Sequence, residues 1–100
     1  MNRTIHAASG HTLHVSSIDK SELSAEVHYK NAETLLDFDS FYEVRNWDKG
    51  GVVFMYLAKG HINGPTQICA FYRGGGFWSG YGTTFKTAID GAQRDGWMYA

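Results

Sequence analysis

Two strand-like segments separated by a short turn constrain the fold more than any other feature of the sequence. Residues 51–59, GVVFMYLAK, and residues 66–73, TQICAFYR, are rich in the β-branched and aromatic side chains that are typical of strands. Between them, Asn63, Gly64 and Pro65 are residues that favour a turn. The pattern predicts two adjacent antiparallel strands at the centre of a sheet.

The first third of the chain has a similar alternating pattern. Apolar and polar residues alternate on both sides of Ser9 and Gly10 within residues 3–18, which predicts a hairpin with a tight turn at its midpoint. Residues 24–31, SAEVHYKN, alternate in the same way. We therefore predict a third strand there, in a sheet with one solvent-exposed face.

The middle of the chain fits two periodicities. Leu35, Phe38 and Tyr42 have the spacing of a helical stripe, whereas Leu36 and Phe38 alternate as they would in a strand. We expect a strand, a bend at residues 37–40 and a second strand, with a helix as the alternative.

The last helix has clear signals. Thr83 or Thr84 is a suitable N-cap, and Gly96 is a natural end. The intervening apolar residues have helical spacing: Phe85, Ala88, Ile89 and Ala92. We predict a single α+β domain over residues 1–100, with an antiparallel, meander-like sheet of about five to six short strands. One C-terminal helix packs on one face of that sheet.

Net charge, cysteine content and the length of the apolar runs limit the classes of function that this chain can have. The formal net charge is −1, which gives the whole chain no general attraction for nucleic acid or anionic membranes. The single cysteine, Cys69, suits a reducing compartment, and we expect a cytoplasmic protein. The longest apolar run, residues 52–58, is far shorter than the roughly 20 residues that cross a bilayer. We predict neither a metal site nor a cofactor.

A glycine-aromatic segment, residues 74–85 (GGGFWSGYGTTF), looks most like a site. It lacks the glycine spacing of a dinucleotide-binding turn, the lysine of a phosphate-binding loop and the paired glycines of a nucleophile elbow. Its rings either complete the core or contact a partner. On the second interpretation Trp78, Tyr81 and Arg73 are the anchors, because such residues dominate binding hot spots.

Acidic residues are concentrated in the centre of the chain. Residues 33–48 hold five acidic residues and one basic residue, whereas residues 51–100 hold four basic and two acidic residues. We predict that Asp37, Asp39 and Glu43 form an acidic face that meets a basic partner surface.

These features favour a small non-enzymatic binding protein that occupies a surface of a larger protein or nucleoprotein. An accessory protein of a phage or other mobile element, inhibiting a host system, would have such a composition. The alternatives are a single-stranded nucleic-acid-binding module that uses aromatic residues, disfavoured by the few basic residues, and a small enzyme or small-ligand-binding domain. An exposed sheet edge would also allow a homodimer.

Overall fold

The computed structural model describes residues 2–61, 66–72, 77–80 and 84–94. Six antiparallel strands form one sheet in the order of the chain. The strands are β1 (Asn2–His6), β2 (Thr12–Ile18), β3 (Ser40–Asn46), β4 (Val52–His61), β5 (Thr66–Tyr72) and β6 (Phe77–Gly80). Two α-helices, α1 (Ala25–Leu35) and α2 (Phe85–Arg94), and two short 3-10 turns, Lys20–Glu22 and Trp47–Lys49, complete the described part. The predicted α+β class and meander are confirmed.

Both predicted hairpins are present. β4 pairs with β5, with Leu57 opposite Ala70, so the two apolar runs lie side by side inside the sheet. β1 pairs with β2, and Gly10 in their turn has a φ of 95°, a conformation that favours glycine.

The predicted third strand is wrong, because residues 25–35 form helix α1. Its buried residues are Val27, Asn31 and Leu35, which recur every four positions as on one face of a helix. The middle residue, Asn31, is polar, so the buried face of the helix does not form an apolar pattern in the sequence. The alternation of Ala25, Val27 and Tyr29 was misleading, since only the valine of the three is buried.

The predicted strand before the bend at residues 37–40 is also absent. α1 ends at Leu35, and residues 36–39 connect it to β3. Leu36 is exposed while Phe38 is buried, so the two residues do not share a sheet face as the strand pattern suggested. The second strand predicted for this region is β3.

The sheet is packed on both faces, each against one helix. Alternate residues of β4 and β5 enter opposite clusters: Met55 and Leu57 belong to one, Tyr56 and Ala58 to the other. The first cluster includes the α2 residues Phe85, Ala88, Ile89 and Ala92, as the sequence predicts. The second cluster includes Val27 and Leu35 of α1. Hence the domain has a helix, sheet, helix layering.

Helix α2 begins as the sequence predicts. The Thr84 hydroxyl accepts a hydrogen bond from the Thr87 N–H at 3.1 Å, which identifies Thr84 as the N-cap. Thr83, the alternative cap, and Gly96, the predicted end, lie outside the described residues.

Candidate interaction surface

The solvent side of α1 carries the most exposed large apolar side chains of the described residues. Tyr29 is 85% exposed and Leu36, just after the helix, is 75% exposed. Ala25 and Ala32 are exposed as well. We call these four residues, Ala25, Tyr29, Ala32 and Leu36, the outer stripe of α1.

The local sequence fixes which side of α1 faces solvent. The Ser24 hydroxyl caps the helix by accepting a hydrogen bond from the Val27 N–H at 3.2 Å. Buried Asn31 departs from helical geometry, with φ −127° and ψ 24°, and its Nδ2 donates to the Val27 carbonyl at 3.1 Å. The side chains of Val27 and Leu35 are then committed to the core, and the outer stripe points away from it.

Acidic residues border the outer stripe. Glu26 and Glu33 are exposed on α1, and Asp37 is exposed directly after Leu36. Exposed Lys30 lies among them, so this border carries a net negative charge. An apolar stripe with a carboxylate border is suited to a protein surface that combines apolar and basic groups.

The connection that carries Asp37 and Asp39 is held against β4. The Asp39 N–H donates to the Lys59 carbonyl at 3.3 Å, and the Asp37 N–H donates to the Thr34 carbonyl at 3.1 Å. A Cβ at Gly60 would lie 2.8 Å from the Asp37 carbonyl oxygen, so only glycine permits this close approach. Both predicted aspartates are exposed on a well-anchored segment.

Glu43, the third predicted acidic residue, has a different environment. It lies within β3, and its Oε1 accepts a hydrogen bond from the Arg45 Nε at 2.7 Å. The ion pair offsets its charge, and its side chain is only 20% exposed. Glu43 thus differs from Asp37 and Asp39, which are exposed. The structure adds Glu26 and Glu33, which a strand interpretation of α1 could not place on this surface.

A second exposed aromatic residue lies in the turn after β3. Trp47 is 56% exposed and stacks on His14, with ring centroids 5.3 Å apart. The turn is tied to β2 because the Asp48 Oδ2 accepts the Thr12 N–H at 2.8 Å. Val52, at the start of β4, is 49% exposed. Both Trp47 and Val52 lie outside the outer stripe.

Of the three predicted anchor residues, only the backbone of Trp78 lies in the described part of the chain. The backbone of Trp78 pairs with Ala70 between β6 and β5, but its side chain lies outside the described part. Arg73 and Tyr81 lie outside the described residues altogether. Partner contact by these three residues stays a prediction.

Cys69 is buried in β5, as its apolar neighbours suggest. Burial raises the pKa of its thiol to about 11, and the charge of Asp37 acts in the same direction. The thiol is therefore protonated at neutral pH, which is typical of a small core residue.

In the described part of the chain, no group of three or more His, Cys, Asp or Glu side chains is arranged to hold a metal ion. Within the same residues, no helix has the length and apolarity to cross a membrane. Comparison of the chain with protein-family models, curated proteins and solved structures found no match.

Proposed function

We propose that this chain is a non-enzymatic binding protein that occupies a surface of a larger protein or nucleoprotein. The observation that carries the proposal is the outer stripe of α1, where Tyr29 and Leu36 are largely exposed beside carboxylates. A helix needs one buried face to be stable in a domain, and α1 already has that face. The outer stripe is therefore available for a second contact.

The size of the apolar side chains supports a contact role. Burying one large apolar side chain contributes roughly 1.5–3 kcal/mol, so Tyr29 and Leu36 could supply much of a binding free energy. Tyrosine is also enriched among the residues that dominate protein interfaces. The small Ala25 and Ala32 leave room for a partner to approach the helix backbone.

The charge of the border supports a basic partner. Glu26, Glu33 and Asp37 would meet lysine or arginine side chains, accelerate association and make binding weaker at high salt. Asp39 continues this acidic surface along the connection to β3. A protein surface that normally holds nucleic acid has the required combination of basic and apolar groups.

The proposal extends to the location of the protein, its inhibitory role and its further contacts. We place the protein in the cytoplasm, where its single buried thiol would remain reduced, and assign it an inhibitory role as a phage or mobile-element accessory protein. Trp78, Tyr81, Arg73 and Glu43 are proposed as additional contacts. An exposed sheet edge supports self-association.

A pull-down with matched variants tests the proposal. Wild-type protein, the double variant Tyr29→Ser/Leu36→Ser and the control Val52→Ser would be used as tagged baits in bacterial lysate, with and without nuclease treatment. We expect one protein or complex with the wild type and the control, and its loss with the double variant. Since all three substitutions remove exposed apolar side chains, the fold should be retained in each.

Two results would contradict the proposal. Capture that survives the double variant but is lost with Val52→Ser would place the contact at Val52 instead of the outer stripe. Capture of nucleic acid alone, lost after nuclease treatment, would favour the aromatic nucleic-acid-binding alternative.

A further inference from the structure

Strand β1 has one edge that is paired and one that is free in the described part of the chain. It pairs with β2, and the sheet order places it at the end of the sheet. The Ala7 N–H donates to the His11 carbonyl at 3.0 Å just beyond the strand. In an antiparallel pair, successive residues direct their backbone N–H and C=O groups alternately toward the partner strand and away from it. Ala7 directs its N–H toward β2. The backbone N–H and C=O groups of Asn2, Thr4 and His6 therefore point outward.

We propose that a second copy of the chain pairs with this edge, β1 against β1, antiparallel and centred on Thr4. In that register Thr4 faces Thr4 of the other copy, and Asn2 faces His6. Every outward residue then meets an outward residue, so each pair can exchange two backbone hydrogen bonds. The pairing is two-fold symmetric, as a closed dimer interface requires.

The side chains of β1 are compatible with this register. Thr4 would meet a second threonine, and Asn2 would meet the imidazole of His6, so no like charges face each other directly. Arg3, the charged residue of the strand, points to the opposite sheet face, where its guanidinium lies 5.3 Å from the centre of the Phe85 ring. In the dimer Arg3 would face Ile5 rather than another arginine.

The edge also lacks features that prevent pairing. β1 contains no proline, and its register with β2 is regular over all five residues. Proline and bulges are common means of blocking sheet extension. Among the described elements, none covers the outer side of β1, and its exposed residues are polar, which suits a reversible contact of modest size.

The dimer would create a larger polar surface. The cluster beneath α1 includes residues of β3, β4 and β5 and, from β2, only Ile18. On the same face the Trp47 ring stacks on His14 of β2. α1 leaves the rest of β1 and β2 open on that face. Cross-strand partners on this open area are Asn2 with Ser16, Thr4 with His14 and His6 with Thr12. Antiparallel pairing joins two such areas into one floor of mainly polar residues, flanked on each side by a Trp47 ring and an α1 helix.

Sedimentation velocity over a range of protein concentrations tests the dimer. We expect a concentration-dependent shift from monomer to dimer for the wild type and for Thr4→Val, which keeps the backbone pairing. Thr4→Lys would place two ammonium groups opposite each other and should raise the dimer dissociation constant about tenfold. Thr4→Pro removes an outward N–H and should also give monomer.

Circular dichroism would confirm that each variant is folded. A wild type that remains monomeric at millimolar concentration, or a dimer unaffected by Thr4→Lys and Thr4→Pro, would overturn the proposal. Because the outer stripe of α1 is not part of this edge, these variants should leave the lysate capture described above unchanged.

Discussion

Gly51 is constrained both by its backbone and by its neighbour. Its φ is 79°, and a Cβ there would lie 2.8 Å from the Trp47 Cζ3 atom. Gly50 has a similar φ of 75°, but a Cβ there would meet nothing within 4 Å. The two glycines therefore separate the cost of backbone strain from the cost of crowding Trp47.

We expect Gly51→Ala to lower the free energy of unfolding by about 2–4 kcal/mol and Gly50→Ala by about 1–2 kcal/mol. The larger loss at Gly51 comes from displacement of the Trp47 ring. Urea denaturation of both variants measures the difference. Equal losses would show that the contact between Gly51 and Trp47 has no energetic weight.

The reactivity of Cys69 tests whether its thiol is buried in the core. Because burial raises the pKa of its thiol to about 11, it should react with an alkylating reagent at pH 8 only when the core opens. We expect slow alkylation of the native protein and fast alkylation in denaturant, measured by mass spectrometry. Rapid reaction of the native protein would contradict the core position of Cys69.

At the scale of elements, two adjacent leucines distinguish the observed helix from the predicted strand in which Leu36 and Phe38 share a face. Leu35 is 1% exposed and Leu36 is 75% exposed. We expect Leu35→Ala to cost about 2–5 kcal/mol of unfolding free energy and Leu36→Ala less than about 0.5 kcal/mol. Chemical denaturation measures both. A costly Leu36→Ala would support the strand pattern in which Leu36 and Phe38 share a face.

Asp90 joins helix α2 to the first hairpin. Partial burial opposes its ionisation, but hydrogen bonds from the Lys86 ammonium and the Ala8 N–H outweigh this and hold the pKa of the carboxyl below its usual value. An unfolded aspartate titrates near pH 4, to a rough approximation. The lowered folded pKa therefore contributes stability above that pH and loses it as the pH falls further.

Comparison of the wild type with Asp90→Asn tests this linkage. We expect the wild type to be more stable at neutral pH and the difference to shrink below about pH 4. Thermal unfolding across the acidic range measures it. A difference that remains constant through that range would show that the Asp90 charge is not responsible.

The elements that the sequence predicts correctly are those with a strong local signal. β4 and β5 are marked by apolar runs around a turn, and α2 has a regular apolar stripe behind Thr84. The sequence of α1 predicts a strand because Ala25, Val27 and Tyr29 alternate with polar residues. Its helical face is not apparent because that face includes Asn31, whose burial depends on tertiary packing. Once α1 is assigned incorrectly, neither the outer stripe nor the roles of Glu26 and Glu33 can be recognised from the sequence.

For the whole molecule, charge should control association. The acidic border of the outer stripe predicts that Glu26→Lys/Glu33→Lys weakens partner binding more at low salt than at high salt. The charge reversal leaves the buried face of α1 unchanged, so the fold should be retained. Binding that does not respond to salt or to this variant would show that the acidic border does not attract the partner.

Photo-crosslinking most directly tests the central claim that the outer stripe of α1 contacts a protein partner. A benzophenone amino acid would replace Tyr29 in one variant and Val52 in another, each expressed in cells that contain the partner. We predict a discrete protein crosslink from position 29 and none from position 52. A crosslink from position 52 alone would contradict the assignment of the binding surface to α1.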